Sequence, residues 1–198
     1  MHGLINQAIE HFARDTYGDG FWENLCAGQE LGFTAFEAML SYAPDVTEKV
    51  LDGLAQTLHK PREEVLEDIG TYLVSSQSSG ALRRLLRFSG TDFIDFLYSL
   101  DDLPARVRLA VPELDLPPLE LREHAACRFS LAVRTSGPLH NRFGHVMLGL
   151  LRAMADDYGA LVFLDYKGAR PGEEIIEITL LEKAFAQARA FELGMPVS

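Results

Sequence analysis

Pro112-Glu113-Leu114-Asp115-Leu116-Pro117-Pro118-Leu119-Glu120-Leu121-Arg122-Glu123-His124 is the stretch on which the fold turns. Three prolines in seven residues cannot sit inside a helix, because each lacks a donor and crowds the preceding turn. The half of the chain before this stretch reads as helices, with a polar break from Ser75 to Gly80. Leu4, Ile5, Ala8, Ile9 and Phe12 make one apolar stripe, and Gly18 and Gly20 stop it. A short helix around Phe21, Trp22, Leu25 and Cys26 follows. Val46, Val50, Leu51, Leu54 and Leu58 repeat the period. Pro61 opens the next helix, with Glu63 and Glu64 beside its positive end and Val65, Leu66, Ile69 and Leu73 on one face. Leu82, Leu85 and Leu86 predict a short helix, and Thr91 a cap for the one carrying Phe93, Ile94, Phe96, Leu97 and Leu100.

Beyond the prolines the period changes. Cys127, Phe129, Leu131 and Val133 alternate with polar or small residues, as a half-buried strand does, and Leu119–His124 reads as its hairpin partner. Val146, Met147, Leu150, Leu151 and Met154 return to helical spacing. Leu161–Tyr166 and Glu174–Leu181 predict two more strands, joined by a turn from Lys167 to Gly172. Glu182–Leu193 is either a terminal helix or a frayed end. The expected fold is α+β: one domain over 1–198, with a helical lobe at 1–111 packed on a lobe at 112–198 that holds a four-stranded antiparallel sheet and a helix.

Bulk properties narrow the function. A net charge of −11 opposes binding to nucleic acid and to an anionic membrane surface. No apolar run reaches the ~18 residues of a membrane span, and no secretory leader opens the chain, so a cytoplasmic protein is expected. Cys26 and Cys127 lie too far apart for a metal-ligand motif and read as buried thiols. No nucleophile elbow or phosphate loop is present, and the neighbours Asp101-Asp102 and Asp156-Asp157 point in different directions on a helix. A non-enzymatic domain is expected.

The local sequence resembles the haem-NO-binding (H-NOX) family. Met1-His2-Gly3-Leu4-Ile5-Asn6 looks like the family's start, and Tyr17-Gly18 with Trp22 like the end of its first helix. Phe96-Leu97-Tyr98-Ser99-Leu100-Asp101-Asp102-Leu103 resembles its haem-supporting helix, and Pro117-Pro118 the turn after it. Leu148-Gly149-Leu150-Leu151, then Met154 to Tyr158, resembles the helix between the strand pairs. The resemblance runs to about Leu181. It implies b-type haem held by one histidine, sensing of NO or O2, and a signalling partner such as a cyclase, a histidine kinase or a methyl-accepting protein.

Two places depart from the family pattern. The position of the ligand histidine, after Asp101-Asp102-Leu103, holds Pro104, which has no donor atom for iron, and no histidine lies between Lys60 and Glu123. The family's propionate anchor, Tyr-x-Ser-x-Arg, is matched by Arg134-Thr135-Ser136-Gly137-Pro138, where Ser136 alone fits. Tyr98 and His145 are the alternative iron ligands; Tyr98 is also readable as a core tyrosine, and a metal site joining His140 and His145 is disfavoured by their spacing. Arg134 either meets an acidic ligand or lies solvated at the surface. Ile5, Ile9, Tyr72, Leu97 and Leu148 are candidate pocket walls or plain core, and Pro118 belongs to the proline turn. Three functions follow: a haem gas sensor with altered ligation, a haem-free domain binding another apolar small molecule, or a protein-interaction scaffold.

Overall fold

The computed structural model describes residues 2–76, 86, 90–112, 114, 116–135, 142–170 and 172–181. The first four helices are α1 (Gly3–Tyr17), α2 (Asp19–Gly28), α3 (Pro44–Leu58) and α4 (Arg62–Ser75). Two short helices follow, α5 (Phe93–Tyr98) and α6 (Leu103–Ala110). Then come β1 (Leu119–Ala125), β2 (Arg128–Arg134), α7 (Phe143–Tyr158), β3 (Val162–Arg170) and β4 (Glu173–Leu180). The sheet order is β1-β2-β4-β3, with every neighbouring pair antiparallel.

The sheet buries one face. Phe129, Leu131 and Val133 on β2 register with Ile178, Ile176 and Glu174 on β4, and α7 lies over them. Eleven of the sixteen residues of α7 are buried. Such a helix is apolar nearly all round because it has protein on both sides. One hydrophobic core joins α7, the sheet, α5 and α6; a second joins α1 to α4 around Trp22, Phe12 and Leu54. The cores divide within α4, where Ile69 belongs to one and Val74 to the other. Each fully buried Leu or Phe contributes about 1.5–3 kcal/mol, so both cores hold the fold.

Some local expectations change. Asp92, rather than Thr91, caps α5: its carboxylate accepts from Asp95 N at 2.9 Å, and Asp95 in turn accepts from Thr91 N at 3.2 Å. This is a reciprocal capping pair displaced by one residue. The turn expected from Lys167 to Gly172 is mostly strand. β3 runs to Arg170, absorbing a register shift between Tyr166 and Ala169, with Gly168 at φ 90°. Of the helix expected around Leu82–Leu86 only Leu86 lies among the described residues, and it is buried. The helix or frayed end expected at Glu182–Leu193 lies outside them.

Candidate functional site

The segment 93–110 is split. A proline at 104 cannot donate back into a preceding turn but is well suited to the start of a new helix. α5 therefore stops at Tyr98, residues 99–102 turn, and α6 restarts at Leu103 with Pro104 in its first turn. The single supporting helix expected over Phe96–Leu103 is in fact two. Four of its apolar side chains, Phe93, Phe96, Leu97 and Leu100, leave no surface that water can reach, so none of these four lines an empty cavity, whereas Leu109 is exposed. Its polar side chains bind the sheet edge. Asp101 Oδ1 accepts from Leu121 N at 2.6 Å, and the Tyr98 hydroxyl donates to Glu123 Oε2 at 2.5 Å. The Tyr98 ring stands edge-on to Phe129 and is 52% exposed. The hydrogen bond to Glu123 holds the Tyr98 hydroxyl above its ordinary pKa, which opposes the phenolate form.

At its other side α7 is held by charge. Its N-cap position, Arg142, is left-handed (φ 73°) and offers no side-chain cap. The cap comes instead from β4. Glu174, fully buried, accepts from Gly144 N at 2.9 Å and from the Tyr166 hydroxyl at 2.6 Å. A carboxylate there answers the positive end of the helix dipole. Burial, then the bond to Glu174, push the Tyr166 hydroxyl far above its ordinary range. His145 is buried, stacks on Tyr166 at 4.2 Å between ring centres, and places Nδ1 3.3 Å from Glu67 on α4. Glu67 also holds Arg152 at 3.1 Å, and Arg142 pairs with Glu63 at 3.0 Å. This network bolts α4, α7 and the sheet together.

The expected site residues are thus scattered. Ile9, with Ile5 and Tyr72 packed beside it, belongs to the core of α1 to α4; Leu97 and Leu148 belong to the other. The Tyr72 hydroxyl donates to Asp15 at 2.5 Å. Arg134 is an exposed sheet residue, bound to Glu120 at 2.5 Å and lying 3.9 Å from Glu173. Its backbone N–H donates to Pro118 O at 2.9 Å, so the proline turn and Arg134 are neighbours. Ser136 and His140 lie outside the described residues. His145 is a packed and bonded core residue. Sequence reading missed Glu174, whose role depends on a strand thirty residues from the helix it caps. It also missed Gly70 and Gly149, although a glycine inside a helix is a known packing signal.

The family described as Haem-NO-binding matches residues 2–163 of this chain. The chain belongs to the haem-NO-binding family. Among curated proteins it is similar to soluble guanylate cyclase gcy-31 of Caenorhabditis elegans, 25% identical over 162 residues, or 79% of this chain and 22% of that protein. Soluble guanylate cyclase 89Da of Drosophila melanogaster is 21% identical over 121 residues, 61% of this chain and 18% of that protein. The chain spans about a fifth of the length of these relatives. In three dimensions it is similar to an H-NOX protein from S. oneidensis in the Fe(II) state, with TM-score 0.77 and 19% identity over 92% of this chain and 97% of that one. An Fe(II) unliganded H-NOX mutant from K. algicida gives TM-score 0.77 and 18% identity over 94% and 100%. These likenesses establish the H-NOX fold. No helix among the described residues is long and apolar enough to cross a membrane.

The family name implies haem, whose iron needs an axial donor atom. Pro104 has none. Tyr98 is turned to Glu123, and the Nδ1 face of His145 is turned to Glu67. Among the described residues no three His, Cys, Asp or Glu are grouped to hold a metal ion. The residues present in this haem-NO-binding domain do not fit an iron held from the supporting segment.

Proposed function

We propose that this chain is a regulatory domain of the haem-NO-binding family that works by contact with a signalling protein and without an iron-ligated haem. One observation carries the reading. Pro104, which the family resemblance puts in the place of the iron ligand, opens a new helix, and the candidate donor Tyr98 is bound to Glu123 at the surface. The buried side chains of that segment favour an interaction scaffold over a receptor for an apolar small molecule, because they leave no void beside them. The partner is a cyclase-type or kinase-type signalling protein; the relatives named as soluble guanylate cyclases support the first. The domain itself carries out no catalysis.

The test is spectroscopic. The protein is expressed with a haem supply, purified, reconstituted with excess haem and scanned in the visible. The expected result is no stoichiometric Soret band. A stoichiometric band that moves on adding NO or CO defeats the proposal and restores the gas-sensor reading with altered ligation. In that event, a Tyr98→Phe variant with an unchanged spectrum would exclude tyrosinate as the ligand.

A further inference from the structure

β3 is an edge strand, and its outer side is unpaired among the described residues. Leu181 N donates to Leu161 O at 2.9 Å, which fixes the phase of the ladder to β4. In an antiparallel pair alternate residues bond to the same neighbour. Phe163 and Asp165 therefore direct their backbone groups to Thr179 and Glu177, while Val162, Leu164 and Tyr166 direct theirs to the open side. No further strand pairs there among the described residues. A long unpaired edge with apolar flanks is a template for another strand.

Three more observations converge on this edge. A cavity of about 180 Å3 opens between β3 and the C-terminal half of α7, walled by Ala155, Ala160, Val162 and Leu164. Leu161, Phe163 and Leu181 stand exposed beside it, at 54%, 58% and 56%. Two charged residues line the cavity, Arg152 and Asp156. Arg152 is tied to Glu67, whereas the exposed Asp156 carboxylate has neither ion pair nor hydrogen bond among the described residues. The free charge at the mouth is negative, and so is the chain as a whole, at −11. That field attracts a basic segment and repels a second copy of this chain.

We infer that the β3 edge binds an extended segment of a partner protein by strand addition, seating one apolar side chain in the α7–β3 cavity and one Lys or Arg against Asp156. Backbone bonds to Val162 and Leu164 give the affinity, and the cavity and Asp156 choose the sequence. The inference goes beyond the haem question: it names a surface, and it stands or falls separately from any Soret band.

The probe is a short synthetic peptide alternating valine and lysine around a central phenylalanine. Its control is the same peptide N-methylated on alternate amides, which removes the strand-forming donors and leaves the protein untouched. Backbone amide NMR on the isotope-labelled full chain reads the result. Shifts confined to 160–166 and the end of α7 are expected, lost with the methylated peptide. Asp156→Asn should weaken the peptide roughly two- to fivefold, the size of an exposed ion pair. Four results overturn the inference: no shift at Val162 or Leu164 at the solubility limit of the peptide, equal binding of both peptides, equal binding by Asp156→Asn, or concentration-dependent shifts at these amides without peptide together with a doubled mass by light scattering. The last would assign the edge to a second copy.

Discussion

Gly70→Ala and Gly149→Ala each add one methyl group at the crossing of α4 and α7. At Gly70 the new Cβ would overlap the carbonyl oxygen of Val146, and at Gly149 that of Glu67. The obstacles are backbone atoms of the facing helix, which cannot rotate away, so the helices must separate by ~1 Å to restore a normal contact. Two effects oppose each other. Alanine is about 1 kcal/mol better than glycine inside a helix. Overpacking costs about 1–3 kcal/mol, and rigid backbone puts this site at the top of that range. Separation also stretches the Thr71 hydroxyl bond to Gly149 O (3.3 Å) and the Glu67 bonds to His145 (3.3 Å) and Arg152 (3.1 Å). The net expectation is a loss of about 2 kcal/mol for either variant, a fall in Tm of about 4–8 °C in a chain of this size. Once one methyl has parted the helices the second meets less resistance, so the double variant loses less than the sum. Calorimetry or thermal circular dichroism checks this. A single variant that melts higher than wild type would show that helix propensity governs the site. Strict additivity would show that the two methyls do not share one separation.

Glu174→Gln keeps shape but removes the charge that caps α7, leaving an amide to face Gly144 N–H or the Tyr166 hydroxyl; urea unfolding should show a loss of about 1–3 kcal/mol. A wild-type midpoint would mean that the cap is dispensable. Tyr98→Phe breaks only an exposed bond to Glu123, so its loss should stay below about 1 kcal/mol; a collapse of the fold would assign Tyr98 a core role. Burial pushes the Cys26 thiol up to about 11 from an ordinary 9.0. A raised folded pKa means that this group's contribution to stability is full below about pH 9 and is lost as the pH climbs through 11. At pH 8 a thiol reagent should therefore label the half-buried Cys127 quickly and Cys26 only on unfolding; equal rates would refute the burial argument.

Most of the fold was legible because it is written in local period. The apolar stripe of Leu4 to Phe12 and the alternation of Phe129, Leu131 and Val133 each need only a handful of neighbouring residues to be read. The order of elements then left one sheet-plus-helix arrangement. What escaped was non-local. Nothing within four residues of Gly144 announces that Glu174 will cap its helix, since the carboxylate arrives through the β2–β4 register. Taken singly, Gly70 and Gly149 are two poor helix formers inside helices. Their meaning exists only in the pair, as reciprocal contacts across one crossing. The same limit holds for the candidate pocket residues: Ile9 and Leu97 share a pattern but sit in different cores, and period says nothing about which core a greasy face enters.

Pro104 was legible, but its structural consequence was not. The absence of a donor for iron follows from the residue type alone. The splitting of the supporting helix follows from chain chemistry as well, yet where the freed residues go depends on what lies opposite. Residues 99–102 turn, which carries Asp101 to the edge of β1 and lets it take Leu121 N–H, a donor on a strand with no neighbour on that side among the described residues. Tyr98 makes the same journey to Glu123. An unbroken helix would carry residues 99–102 onward along the α5 axis instead. The break before Pro104 thus also ties the segment to the sheet. Any movement of α5 against β1 has to break the Asp101 and Tyr98 bonds together, and it cannot do so while Phe93, Phe96 and Leu97 remain seated in the core beneath.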